Sequence, residues 1–121
     1  MNLKSAALAF MVGAVSLFGA DTSYAAEQEI HLTQALGYAQ DAASEGKNNN
    51  ATAAAEHARQ ALRHAEMAET VKPDPHITEA KTHLHQAIEE GDRGQSKVAG
   101  EHAQEAVNHL KMAYKEQLTF D

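Results

Sequence analysis

Residues 76–113 read HITEAKTHLHQAIEEGDRGQSKVAGEHAQEAVNHLKMA, and residues 31–68 read HLTQALGYAQDAASEGKNNNATAAAEHARQALRHAEMA. The two stretches align without a gap at a shift of 45 residues. Glu-Gly recurs (Glu45-Gly46, Glu90-Gly91), as do Glu-His-Ala (Glu56-His57-Ala58, Glu101-His102-Ala103) and Met-Ala (Met67-Ala68, Met112-Ala113). A repeat of this kind marks one supersecondary unit used twice. Each copy divides again, because a twelve-residue phrase occurs four times, starting at His31, His57, His76 and His102. Its pattern is His, apolar, x, Gln/Glu, Ala, x, x, His/Tyr, Ala/Leu, x, x, Ala. Seven of the eight histidines fill its two His positions, Tyr38 takes the remaining slot, and His85 falls outside.

The phrase is helical. Counted from its first His, the apolar positions fall at +1, +4, +5, +8 and +11, the stripe of an amphipathic helix. Alanine dominates that stripe, with Gln, Glu, Lys and Arg around it, all strong helix formers. Gly46 and Gly91-x-x-Gly94 are read as helix stops and Asn48-Asn49-Asn50 as a turn. Val71-Lys72-Pro73-Asp74-Pro75 must break the chain, since two prolines do not sit in a helix interior. Four helices are predicted, over residues 27–45, 51–70, 76–91 and 95–117. Short loops make sequential neighbours antiparallel. The predicted fold is therefore all-α, an antiparallel up-down four-helix bundle of two repeated hairpins, with an alanine core that buries little area per residue.

The flanking sequence bounds where this domain works. Met1–Lys4 is short and basic, Ala6–Ala20 is apolar apart from Ser16, and Ser23-Tyr24-Ala25 has the small-x-small form of a cleavage site. Residues 1–25 are read as a secretory signal peptide and 26–121 as one domain, placing the mature chain in the periplasm. No later segment is apolar enough to span a membrane. The chain has no Cys, which excludes disulfides and thiolate metal sites. A net charge of −7 argues against nucleic acid as a partner and favours cations. A monomer is expected.

Enzyme chemistry finds no support. The chain has no Cys nucleophile, Gly-rich phosphate loop or H-E-x-x-H, and no C-x-x-C-H for haem attachment. A di-iron bundle needs Glu-x-x-His on its helices, whereas the order here is His-x-x-Glu. The histidines are the chemistry-bearing feature. At about 100° per residue, the core stripe centres near 75° and the two His positions near 0° and −20°, on one flank at a helix–helix seam. Histidines seven apart on one helix are about 10.5 Å apart along its axis, so a shared ion needs a partner helix or a donor three or four residues away.

Folding each hairpin about its turn sets His31 opposite His64, Tyr38 opposite His57, His76 opposite His109 and His83 opposite His102. The same flank can equally face the seams between helices 2 and 3 and between 4 and 1. Glu79, Glu105 and Glu27 stand three or four residues from phrase histidines, and Met67 and Met112 follow His64 and His109 by three. A set such as His76, His109 and Glu79 or Glu105 suits Cu(II), Ni(II) or Zn(II), and a His–Met pair suits Cu(I). One flank histidine alone reads as a solvated or packed residue, and His85 keeps that reading. Seven at fixed phrase positions favour metal ligation. Met67 and Met112 read as packing residues, and Tyr38 as an edge-packing aromatic.

At these residues the chain resembles the small metal-binding protein family. The resemblance covers about 31–113 and rests on His57-Ala58-Arg59-Gln60-Ala61, His102-Ala103-Gln104-Glu105-Ala106, the Glu-Gly turns and the double hairpin. It implies a periplasmic four-helix bundle binding copper and other divalent ions for buffering or tolerance, with His31, His57, His64, His76, His83, His102 and His109 as ligands. The competing expectation is an exported helical interaction or stress module whose histidines titrate near pH 6–7.

Overall fold

Among the described residues, alanine-rich, breaker-free segments give four helices: α1 (Ala20–Lys47), α2 (Ala51–Val71), α3 (Pro75–Asp92) and α4 (Ser96–Thr119). These come from a computed structural model that describes residues 20–119, with side chains from Ser23. Helix ends agree with the sequence reading to within two residues, except that α1 starts at Ala20 rather than residue 27. Nothing between Ala20 and Glu27 breaks a helix, and Gln117 Nε2 donates to the Ala25 carbonyl at 2.6 Å, tying this first stretch to α4. The signal-peptide reading lies mostly outside the described residues. Among the described residues no helix is long and apolar enough to cross a membrane.

The turns repeat as the sequence does. Asn50 N–H donates to Glu45 O at 2.9 Å, and Gln95 N–H to Glu90 O at 2.8 Å. Asn49 N–H and Gly94 N–H reach back to the carbonyls of Gly46 and Gly91. Each is a Schellman closure around a left-handed residue, Asn49 at φ 63° and Gly94 at φ 80°. Gly46 and Gly91 are thus not the stops they were read as. Both lie inside their helices, and their role is close packing. A methyl group on Gly46 would meet the backbone of Gly100 and, at 2.7 Å, the Ser96 carbonyl. One on Gly91 would meet the Ala51 carbonyl and the Ala55 side chain, both at 2.8 Å. Between the hairpins, Asp74 caps α3 by accepting from His76 N–H at 2.7 Å, with Pro75 in the first turn. Gln28, itself buried, donates to the Ala68 and Lys72 carbonyls and satisfies the end of α2.

Packing pairs run in opposite directions along every neighbouring couple of helices, which makes the neighbours antiparallel. Tyr114 and Gln117 of α4 meet Glu29 and Ala25 of α1, while Thr78 and Asp92 of α3 meet Glu69 and Arg59 of α2. Among the described residues the core is alanine with five large, fully buried side chains: Leu32, Ile77, Leu84, Val107 and Leu110. Every fully buried residue of α2 is alanine. Small side chains let helices approach to the short end of the usual 8–10 Å range, which brings flank residues of facing helices into contact.

Glu69 joins the hairpins by accepting from Thr78 Oγ1 at 2.6 Å and pairing with Lys81. The Lys81 hydrogen bond, then that of Thr78, holds its carboxyl below the ordinary carboxylate range. A carboxylate depressed on folding stabilises the native state above its unfolded value, about 4.3, and that contribution disappears as pH falls through the folded value. Glu69→Gln is therefore expected to cost about 1 kcal/mol at pH 7. Denaturant melts should show the gap from the parent protein closing toward pH 3.

Candidate metal centre

The seven phrase histidines are all half-buried, whereas His85 is exposed. Each alanine stripe faces the core, so the residue beside it on the helix flank faces the seam, and the seam used is the one within each hairpin. His31 Nδ1 lies 3.4 Å from His64 Nδ1, His76 Nδ1 lies 3.4 Å from His109 Nδ1, and His83 Nδ1 lies 3.3 Å from His102 Nδ1. Tyr38 stacks on His57 at 6.5 Å between ring centroids. The four predicted partnerships form, and the alternative seams, between helices 2 and 3 and between 4 and 1, are not the ones used.

The rings continue from pair to pair. In the second hairpin they run His102, His83, His109, His76, with successive centroids 5.6, 5.7 and 5.7 Å apart. In the first they run His57, Tyr38, His64, His31 at 6.5, 5.7 and 5.7 Å. Each hairpin seam is thus a four-ring ladder. Two imidazole nitrogens bound to one tetrahedral ion at about 2.0–2.1 Å are about 3.3 Å from each other. The three Nδ1 pairs already have that separation.

One further group adds a carboxylate. Donor atoms of Glu79, His83 and His109 all lie within 4.8 Å of one another, the one such group of three among the described residues. Glu79 sits one helical turn before His83, so it joins His83 and His109 rather than the expected set with His76. Glu105 is exposed and outside this group. Glu27 is also exposed. Met67 and Met112 stand 40% and 44% exposed, too open for the packing role they were read with.

Sequence reasoning missed Glu116. Its carboxylate lies 3.3 Å from His76 Nε2, which favours the proton on that nitrogen and leaves the Nδ1 lone pair facing His109. Extending the seven-residue stride of His102 and His109 by one step reaches Glu116, so the signal was present.

A family model described as "Small metal-binding protein" matches residues 3–113. The chain belongs to the small metal-binding protein family. Among curated proteins none matches.

The two halves of this family member are chemically unequal. Where the second hairpin has Glu79, His83, Glu105 and Glu116, the first has Gln34, Tyr38, Gln60 and Val71. Where the second has Gln104 and Asn108, the first has Arg59 and Arg63. Tyr38 has no ring nitrogen to offer, so His57 Nδ1 is buried without a partner, while its counterpart His102 has one. In the surviving first-hairpin pair, burial pushes the His64 pKa down, with the His31 and Arg63 charges adding to the effect. Two carboxylates, Glu79 and Glu116, reach ladder histidines of the second hairpin, whereas in the first the Arg63 guanidinium acts on His64.

Proposed function

We propose that this protein binds divalent transition-metal ions, copper(II) foremost and nickel(II) or zinc(II) as alternatives, in the periplasm, and that it buffers them or confers tolerance rather than catalysing a reaction. The observation that carries the reading is the set of three Nδ1–Nδ1 pairs at 3.3–3.4 Å, the separation one ion imposes on two imidazoles. Imidazole with carboxylate is the donor set these borderline ions take. Family membership supports metal as the ligand, and the leader-like first 25 residues support export. The richer donor set makes the second hairpin the main site. The protein acts as a monomer in this reading, since each pair is completed within one hairpin.

Calorimetric titration of the metal-free mature chain, residues 26–121, with Cu(II), alongside thermal melts, tests this. The expected result is micromolar or tighter binding and a raised melting temperature. An ion at a hundredfold excess over its Kd stabilises the folded state by about 2.7 kcal/mol, large for an alanine core. Changing His76, His83, His102 and His109 together to Gln should remove most of the heat and of the stabilisation. Silence toward Cu(II), Zn(II) and Ni(II) alike would leave an exported helical interaction module.

A further inference from the structure

The second-hairpin ladder offers two incompatible ways to hold ions. Its ends are the Nδ1-facing pairs His76–His109 and His83–His102. Its middle is the group Glu79, His83 and His109, which takes one histidine from each pair. A neutral imidazole has a single lone-pair nitrogen, because the other carries the proton. One histidine therefore serves one ion, whichever nitrogen it uses. An ion in the middle removes His83 and His109 from the ends, and ions at both ends dismantle the middle.

We propose that the first divalent ion to reach this hairpin is held centrally by Glu79, His83 and His109, and that only a second ion moves the hairpin to its two end pairs. The inference rests on the metal-binding reading above. The centre supplies three protein donors where each end supplies two, and its carboxylate neutralises part of the ion's charge. Two imidazoles and one carboxylate also leave a fourth position for water, a set that Zn(II) accepts. Ligands of one four-coordinate ion with bonds of about 2.0–2.2 Å stand about 3.3–3.6 Å apart. Donors within 4.8 Å therefore close by no more than about 1.5 Å, and Glu79 is exposed and able to make that movement. The stacked His83 and His109 rings, 5.7 Å apart and 15° from parallel, lie side by side before any ion arrives. Two ions at the ends sit about seven residues apart along the helices, or about 10.5 Å, far enough to be held together once the supply is high. The hairpin then acts as a tight single-ion binder at low load and a two-ion store at high load. The first hairpin, with Gln34 and Tyr38 at the matching positions, has no such centre.

Residue-resolved NMR of the histidine ring nitrogens during a Zn(II) titration of the mature chain reads this directly. At the first additions to the second hairpin, coordination shifts are expected at His83 and His109 while His76 and His102 keep their free positions. At excess Zn(II) all four take coordination shifts. Glu79→Gln should lower first-ion affinity about 10-fold and abolish the order, so that all four histidines respond together. Circular dichroism confirms that the exposed substitution leaves the bundle folded. His76 responding in step with His109, or His102 with His83, from the first addition in the unaltered protein would overturn the central site while leaving metal binding intact. A Zn(II) titration that moves no histidine overturns the inference even if copper binds in the calorimeter, and silence toward all three ions overturns the metal reading with it.

Discussion

Leucine in place of Gly46 is expected to destabilise the bundle by more than about 3 kcal/mol, a large share of the 5–15 kcal/mol that small proteins have, and to leave it partly unfolded at 37 °C. Even a single added carbon at this point would sit 2.6 Å from Gly100 N and 2.7 Å from Ser96 O. Both atoms are backbone, so no side chain can swing aside and α4 itself must move away from α1. Overpacking of that kind costs about 1–3 kcal/mol for a few atoms, and leucine adds more. Gly46→Ala should cost about 2 kcal/mol despite alanine's better helix propensity. Gly100→Ala is the internal control. Its added carbon meets the backbone of Gly46 and Ala43 at 3.1–3.3 Å, closer than ordinary contact but looser than at Gly46, so with a propensity gain of up to about 1 kcal/mol to offset the shift it should cost clearly less than Gly46→Ala. Urea melts of the three variants check the order. Gly46→Ala within 0.5 kcal/mol of the parent, as an order-of-magnitude threshold for a neutral surface change, would mean that α1 and α4 separate without cost.

The second large effect concerns binding. His109→Gln is expected to weaken ion binding by the second hairpin about 100-fold, equivalent to about 2.7 kcal/mol, while His76→Gln weakens the first ion by less than about threefold. His109 belongs both to an end pair, at 3.4 Å from His76 Nδ1, and to the group with Glu79 and His83. His76 belongs only to the pair. Glutamine keeps helix propensity and a polar tip but is a much weaker donor than imidazole, so the substitution tests ligation rather than folding. Competition calorimetry with Cu(II) measures both variants, and melts without metal report their stabilities. Equal losses for the two would mean that the end pairs bind first.

Much of this molecule follows from its four-fold phrase. A stripe at +1, +4, +5, +8 and +11 has one helical solution, and two hairpins each with one apolar stripe have few ways to bury them. The turns between α1 and α2 and between α3 and α4 determine which residues lie opposite within a hairpin, and the histidine pairs expected for that seam are the ones that form, although the sequence left the choice of seam open. Gly94 closes α3 as it was read, but Gly46 and Gly91 did not yield to the same reasoning. Gly46 beside Glu45 looks like a stop, and only the approach of Gly100 from a helix more than fifty residues away reveals a packing contact. Asn49 took the left-handed role instead, as Asn can.

By itself the sequence determined the helix number, the alanine core and the flank on which the histidines stand, since all of these depend on periodicity and short loops. Only the tertiary structure decided which seam the flank uses, that Glu79 joins His83 and His109, and that Glu116 reaches His76. The physical reason is that helix spacing and rotation are set by what the alanines and glycines on all four helices permit. Whether a carboxylate one turn away meets a ring on the facing helix depends on distances of a few ångströms, which no single helix encodes.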